Sequence, residues 1–294
     1  MRVLVTGASG FIGRACLRAF VGHEVVGTFR SNPATGLERV DLVNEGEVSA
    51  LVQRVAPNVI VHCAARPSVD WCEENPAEAR RLNVDASLNL LRASADVGGR
   101  LVFISTDYVF DGESGPYAES AHVSPINAYG RFKLEVEQAL LGAGNGHLIV
   151  RTTNVYGYDP RSKNFLMALL PRLALGEKAA VAADQLGTPT HVEDLCSATR
   201  LLLERQVEGI VHVAGPDLVN RVEWLQEAAR TFGLDPDLVS GHQTNQLVQP
   251  ARRPLRAGLK AERLIGLGLP SPRGLRDGLA LMRAEKRSSL EPAW

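Results

Sequence analysis

RVLVTGASGFIGRACLRAF, residues 2–20, passes from a β-rich apolar run through three glycines into a segment with helical spacing. Gly7, Gly10 and Gly13 form G-x-x-G-x-x-G directly after the strand candidate and at the start of the helix candidate. Glycines at such a junction permit a tight turn and let the backbone approach a pyrophosphate, whose charge the helix N-terminus stabilises. A glycine triplet alone is weak evidence. Its strand and helix context favours dinucleotide binding over a purely structural turn, with Gly7, Ser9, Gly10, Phe11, Ile12 and Gly13 as the contacts.

The next strand candidate, EVVGTF (24–29), bears on which dinucleotide is taken. An NAD site usually presents an acidic side chain to the ribose about 20 residues past the glycines. Here that place holds Thr28, Phe29, Arg30 and Ser31. A guanidinium suits a 2′-phosphate and no carboxylate repels it, so NADP(H) is favoured and NAD(H) stays open. Asp41 and Leu42, after a third strand, are placed at the adenine, although Asp41 could equally cap a turn. Ala64 and Ala65 follow VIVHC (59–63), where bulk would block the dinucleotide.

Further strands are expected at LVFIS (101–105), HLIVRTT (147–153) and GIVHVAG (209–215). Helices are expected at 83–95, 127–141, 163–175, 192–204 and 221–233. Nearly all-apolar strands alternating with helices predict an α/β fold, a Rossmann-like doubly wound parallel sheet with a smaller C-terminal substrate-binding domain. Residues 1–153 are assigned to the core and 154–294 mainly to the small lobe, with segments around 192–215 returning to the core. AAVAADQLGTPTHVED (179–194) reads as loop-rich, and EKRSSLEPAW (285–294) as a fraying end.

Composition narrows the function classes. With 32 basic and 33 acidic side chains, net charge −1, no bulk field attracts nucleic acid. Neither a signal peptide nor an 18-residue apolar run is present, so no membrane is expected and the cytoplasm is the simplest location. Cys16, Cys63, Cys72 and Cys196 lack metal or redox spacing, and seven scattered histidines predict no metal site.

LVFIS delivers Thr106 and Asp107 to the carboxyl edge of the sheet, where open α/β folds bind ligands. Tyr129 and Lys133 lie four apart on a helix, hence on one face. Such a trio can handle a carbonyl: Tyr129 exchanges the proton on oxygen, Thr106 polarises that oxygen, and Lys133 steadies tyrosinate and touches a nicotinamide ribose. Lowering a phenol from about 10 to about 7 needs roughly 4 kcal/mol, a task given to lysine together with the oxidised nicotinamide. Tyr108 and Tyr117 have no lysine four residues on.

With the glycine turn, STDYVFDG (105–112), YGRFK (129–133) and RTTNVYG (151–157), the chain resembles the extended short-chain dehydrogenase/reductase superfamily. NFLMALLPRLA (164–174), DQLGTPTHVEDL (184–195) and ARRPLRAGL (251–259) are most similar to the dTDP-4-dehydrorhamnose reductase family. The resemblance spans residues 1–285. It implies hydride transfer from NAD(P)H to C4 of a nucleotide-linked 4-keto-6-deoxy sugar, with Thr106, Tyr129 and Lys133 catalytic. It also implies Asp107, Asn154, Tyr156, Gln185 and Arg253 as substrate-side residues, Arg253 having an independent rationale as a cation for a diphosphate.

The chain departs from that family at RPSVDWCEENP (66–76) and at Leu255 and Arg256, where an asparagine-serine pair is usual. LNVDASLNL (82–90) instead resembles the regulatory beta subunit of methionine adenosyltransferase, which keeps the fold in a non-reductase role. Dehydratases of the superfamily carry Thr-Asp-Glu where this chain has Thr106, Asp107 and Tyr108, so their base is missing. An epimerase and a non-catalytic subunit stay as alternatives, and a homodimer stays open.

Overall fold

The structure, a computed structural model, describes residues 1–144, 146–162 and 164–288. Seven strands build one sheet: β1 (Arg2–Thr6), β2 (Glu24–Phe29), β3 (Leu37–Arg39), β4 (Val59–His62), β5 (Arg100–Thr106), β6 (Leu148–Thr152) and β7 (Gly209–His212). Their spatial order is β3-β2-β1-β4-β5-β6-β7, and every neighbouring pair is parallel. Chain direction across the sheet reverses at β1, which opens a crevice beside its carboxyl end.

Among the described residues, eight helices of at least nine residues accompany these strands: α1 (Phe11–Ala19), α2 (Glu45–Val55), α3 (Ala86–Asp96), α4 (Ala128–Ala143), α5 (Phe165–Ala174), α6 (Val192–Glu204), α7 (Arg221–Phe232) and α8 (Leu275–Ser288). Strand residues alternate between two buried layers, as the two-residue period requires. Val3, Val5, Val59, Val61 and Val150 face α1 and α6, while Leu4, Ile60, Phe103 and Ile149 face α2, α3 and α4. Burial on both faces explains why the strands read as unbroken apolar runs. The sheet is therefore doubly wound.

β7 and α6 belong to the second half of the chain yet lie in this sheet and its covering layer. The remaining C-terminal residues gather round a separate core, in which Leu166, Leu170, Trp224, Leu225, Leu279 and Met282 are buried between α5, α7 and α8. Three two-stranded ladders connect this part: Val155–Tyr156 with Thr190–His191, Leu186–Gly187 with Val219–Asn220, and Ala179–Ala182 with Val239–His242.

Several elements differ from expectation. The segment 179–194 holds three short strands and is not simply loop. The helix expected from 83 is continuous with a π turn, Arg81–Asp85, before α3 begins. α8 forms despite its glycine- and arginine-rich sequence, because Leu275, Leu279 and Met282 recur on one buried face. Residues 285–288 of the expected fraying end are helical, and 289–294 lie outside the described residues, as does Lys163 at the start of the expected helix 163–175. Among the described residues no helix is long and apolar enough to cross a membrane.

Candidate active site

The carboxyl ends of β1, β2 and β4 border a groove of about 460 Å³. Gly7, Ser9 and Gly10 form its floor, Ala64 and Ala65 one wall, and Arg30, Asp41 and Leu42 the far end. Two glycines are required by close packing. Gly7 has φ +67°, and a Cβ there would stand 2.7 Å from the Ala64 backbone. At Gly13 a Cβ would meet the Gly7 carbonyl oxygen at 2.1 Å, so α1 could not approach the turn. Gly10 is the N-cap of α1 and makes no side-chain capping bond, which leaves the helix N-terminus open to an anion. These features fit the pyrophosphate of a dinucleotide. Phe11 and Ile12 instead turn their side chains against the core.

The expected trio lies on β5 and α4. Thr106 ends β5 and is buried; its Oγ1 accepts the Tyr108 N–H at 3.2 Å, and its hydroxyl donates to Asp107 Oδ1 at 3.2 Å. Tyr129 and Lys133 share a face of α4, with Nζ 5.8 Å from the Tyr129 ring centre. Lys133 is buried, donates to the Ile104 carbonyl at 2.8 Å and lies 4.4 Å from the Phe103 ring centre. Burial lowers its pKa to about 8. Asn127 caps α4 by accepting the Gly130 N–H at 2.9 Å, and Glu73 accepts the Ala128 N–H at 2.7 Å. A Cβ on Gly130 would lie 2.1 Å from the Tyr108 carbonyl oxygen, so this glycine sets how closely α4 seats against the end of β5.

Burial, reinforced by Cys72, Asp107 and Tyr108, pushes the Tyr129 pKa up, and in this state the hydroxyl holds its proton. Asp107 is also raised by burial, although Thr153 donates to its Oδ2 at 2.6 Å.

On the substrate side the structure separates the expected residues. Arg253 borders a cavity of about 1010 Å³ together with Asp184, Leu186 and Gln249. Its guanidinium donates to Asp70 Oδ2 at 2.6 Å, and its other terminal nitrogen, Nη1, is buried with no hydrogen-bond partner. Asn154 adopts φ +48° and packs its amide over Gly187. Gln185 spends its amide on Thr244 and Gln249, both at 3.0 Å, and acts as a loop brace. Tyr156 is fully buried among Trp224, His191 and Gly278, inside the C-terminal core.

Two residues escaped sequence reasoning. Asp70 accepts the Ala251 N–H at 3.1 Å as well as the Arg253 guanidinium, and thereby fastens the arginine loop. Arg221 lies on Phe165 and Trp224, 4.9 and 5.4 Å from their ring centres, within electrostatic reach of Asp107, Tyr108 and Arg253. Asp70 stands in the stretch that departs from the reductase pattern; nothing local in the sequence marks Arg221.

A family profile described as "RmlD substrate binding domain" matches residues 1–288. The chain is 34% identical over 299 residues to methionine adenosyltransferase 2 subunit beta of Xenopus tropicalis, covering 97% of this chain and 89% of that protein. It is also 34% identical over 284 residues to the dTDP-4-dehydrorhamnose reductase of Mycolicibacterium smegmatis, covering 95% and 84%. Among solved structures, the dTDP-4-dehydrorhamnose reductase of Bacillus anthracis in complex with NADP superposes with a TM-score of 0.89 at 29% identity, covering 97% of this chain and 99% of that one.

Proposed function

The chain belongs to the RmlD substrate binding domain family, and from that premise we propose that it is an NADPH-dependent nucleotide-sugar reductase, acting on the C4 keto group of a 4-keto-6-deoxy sugar. The substrate we assign is dTDP-4-dehydrorhamnose, giving dTDP-rhamnose. The observation carrying this reading is the pairing of Tyr129 and Lys133 on one face of α4, with Lys133 bonded to the end of β5 that carries Thr106, in a fold that also holds a glycine-built anion groove. The 34% identical reductase and the NADP-containing structure support it. NADP(H) is the favoured cofactor, with NAD(H) possible.

The groove residues Gly7, Ser9, Gly10, Arg30, Asp41, Leu42, Ala64 and Ala65 would hold the dinucleotide, which when bound supplies the hydride. Thr106 presents its hydroxyl to the keto oxygen in place of its 3.2 Å bond to Asp107. Tyr129 supplies the proton: a phenol pushed up by burial is in its acid form at neutral pH and releases the proton only toward an oxygen gaining charge. Lys133 spends one donor on Ile104 and keeps two for ribose hydroxyls. The Arg253 nitrogen without a partner suits a diphosphate oxygen.

Purified protein given dTDP-4-dehydrorhamnose will oxidise NADPH, and Tyr129→Phe will lose at least about 100-fold in turnover. Undiminished turnover in that variant would remove Tyr129 as the proton donor. The similarity to the beta subunit of methionine adenosyltransferase 2 favours a second reading, a cofactor-binding subunit of a synthetase. No turnover on any 4-keto nucleotide sugar, together with a stable complex with a synthetase, selects that one.

A further inference from the structure

Two side chains one turn apart on α4 hold two consecutive residues of β5. Lys133 donates to the Ile104 carbonyl at 2.8 Å, and Glu137 accepts the Ser105 hydroxyl at 2.5 Å; the next residue is Thr106. Glu137 is fully buried and is fixed from a third element as well. Arg151 on β6, the register partner of Ser105, donates through Nε to its Oε1 at 3.0 Å and through Nη2 to its Oε2 at 2.7 Å. A pair sealed from water in this way regains little more than its desolvation cost. Arg151 Nη1, buried with no hydrogen-bond partner among the described residues, adds to that cost. Fold stability is therefore a poor reason for placing the pair directly beneath the catalytic edge.

We propose that Glu137 is the positioning residue for Lys133: it fixes the strand end that receives the lysine and keeps the ammonium charged for its work at the cofactor ribose. The proposal rests on the reductase reading above. Residues four apart on a helix share a face, so the carboxylate stands one turn along from the ammonium. Burial withdraws hydration from Lys133 and favours its neutral form, and Glu137 is the strongest influence opposing that. The other groups that bear on the lysine carry no charge at neutral pH. Tyr129 on α4 and Cys72 on the short helix Val69–Glu74 are pushed up by burial, and Cys63, just beyond β4, by its contact with Cys16 and by burial. His62 on β4 is pushed down by burial to about 3 and is neutral. Arg151 bears instead on His212 of β7, which burial and that guanidinium push down. Among the described residues Glu137 is thus the charged group that offsets the burial of Lys133.

The test titrates Lys133 by NMR in ligand-free, full-length protein carrying isotope-labelled lysine; the chain has five lysines, and Lys133→Met identifies the signal by its loss. Glu137→Gln keeps an acceptor for Ser105 and removes the charge, and the Lys133 midpoint will fall from about 8 to about 7. Because this variant strands the Arg151 charge, Glu137→Gln combined with Arg151→Met is measured beside it, with folding checked by circular dichroism, and the same fall is expected. With NADPH and dTDP-4-dehydrorhamnose, kcat of either variant will drop about fivefold at pH 8 and recover to within about twofold of wild type at pH 6, where Lys133 is charged in every form. An equal loss at both pH values, an unmoved Lys133 midpoint, or a double variant that does not fold makes the pair structural only and overturns the proposal. Wild-type protein that turns over no 4-keto nucleotide sugar overturns the reductase reading instead, while the Lys133 midpoint still decides whether Glu137 governs its charge.

Discussion

Lys133 shows how a single residue trades stability for chemistry. Its pKa falls from 10.5 to about 8 because a buried ammonium loses hydration that Ile104 and the Phe103 ring replace only in part. Between those two values the unfolded chain binds the proton that the native lysine has lost, so native stability rises with pH across this window. Below pH 8 both states are protonated and the full penalty, on the order of 3 kcal/mol, is present. Lys133→Met should therefore raise the melting temperature of the ligand-free protein at pH 7 by several degrees, with the advantage shrinking towards pH 10.5, while turnover is lost. Melts at stepped pH check this, and an unchanged or lower melting temperature at pH 7 would contradict it. Lys133 was legible in the sequence because its partner is four residues away, a spacing that a helix fixes. The pKa direction of Tyr129 was not, since it depends on burial and on the charges of Cys72 and Asp107, residues on other elements. The burial of Tyr156 was not legible for the same reason: only the packing of α7 and α8 shows it.

At the scale of elements, parallel strands buried on both faces announce themselves as apolar runs, and six of the seven were placed from sequence by residue range. β3 has only three residues, Leu37–Arg39, too few for a periodic signal. α2 went unassigned although Asn44 caps it through Gly46 and Glu47, because a cap needs a following helix to be recognised. The seating of α4 was legible only as a glycine inside YGRFK. Its packing against Tyr108 gives a prediction: Gly130→Ala forces the N-terminal turn of α4 away from the end of β5. The variant should remain folded by circular dichroism yet lose at least about 30-fold in kcat, since small displacements of catalytic groups are costly. Near wild-type kcat would show that the contact is not what positions Tyr129.

Across the whole molecule, the short helix Val69–Glu74 joins regions that the sequence keeps far apart. Asp70 holds Arg253 and the Ala251 N–H, while Glu73, on the same helix, holds the start of α4. Asn127 completes the link by donating to the Arg252 carbonyl at 2.9 Å. Partners 183 residues apart leave no pattern in one sequence, so Asp70 could be found only after folding. Asp70→Asn should raise KM for the nucleotide sugar about tenfold with NADPH affinity unchanged, and Asp70→Glu should restore part of it. Equal loss of sugar and cofactor binding would indicate general unfolding of the region instead.

The placement of β7 beside β6, with α6 over α1, has a consequence for how the polypeptide can be divided. A ribosome completing residue 153 has made six of the seven sheet strands, but β6 still exposes a bare edge and α1 an uncovered apolar flank. Folding of the nucleotide half must then wait for some sixty further residues, or be held open by a chaperone until they arrive. A nick in the intervening segment would leave two fragments that keep each other in solution by strand complementation rather than two independent modules.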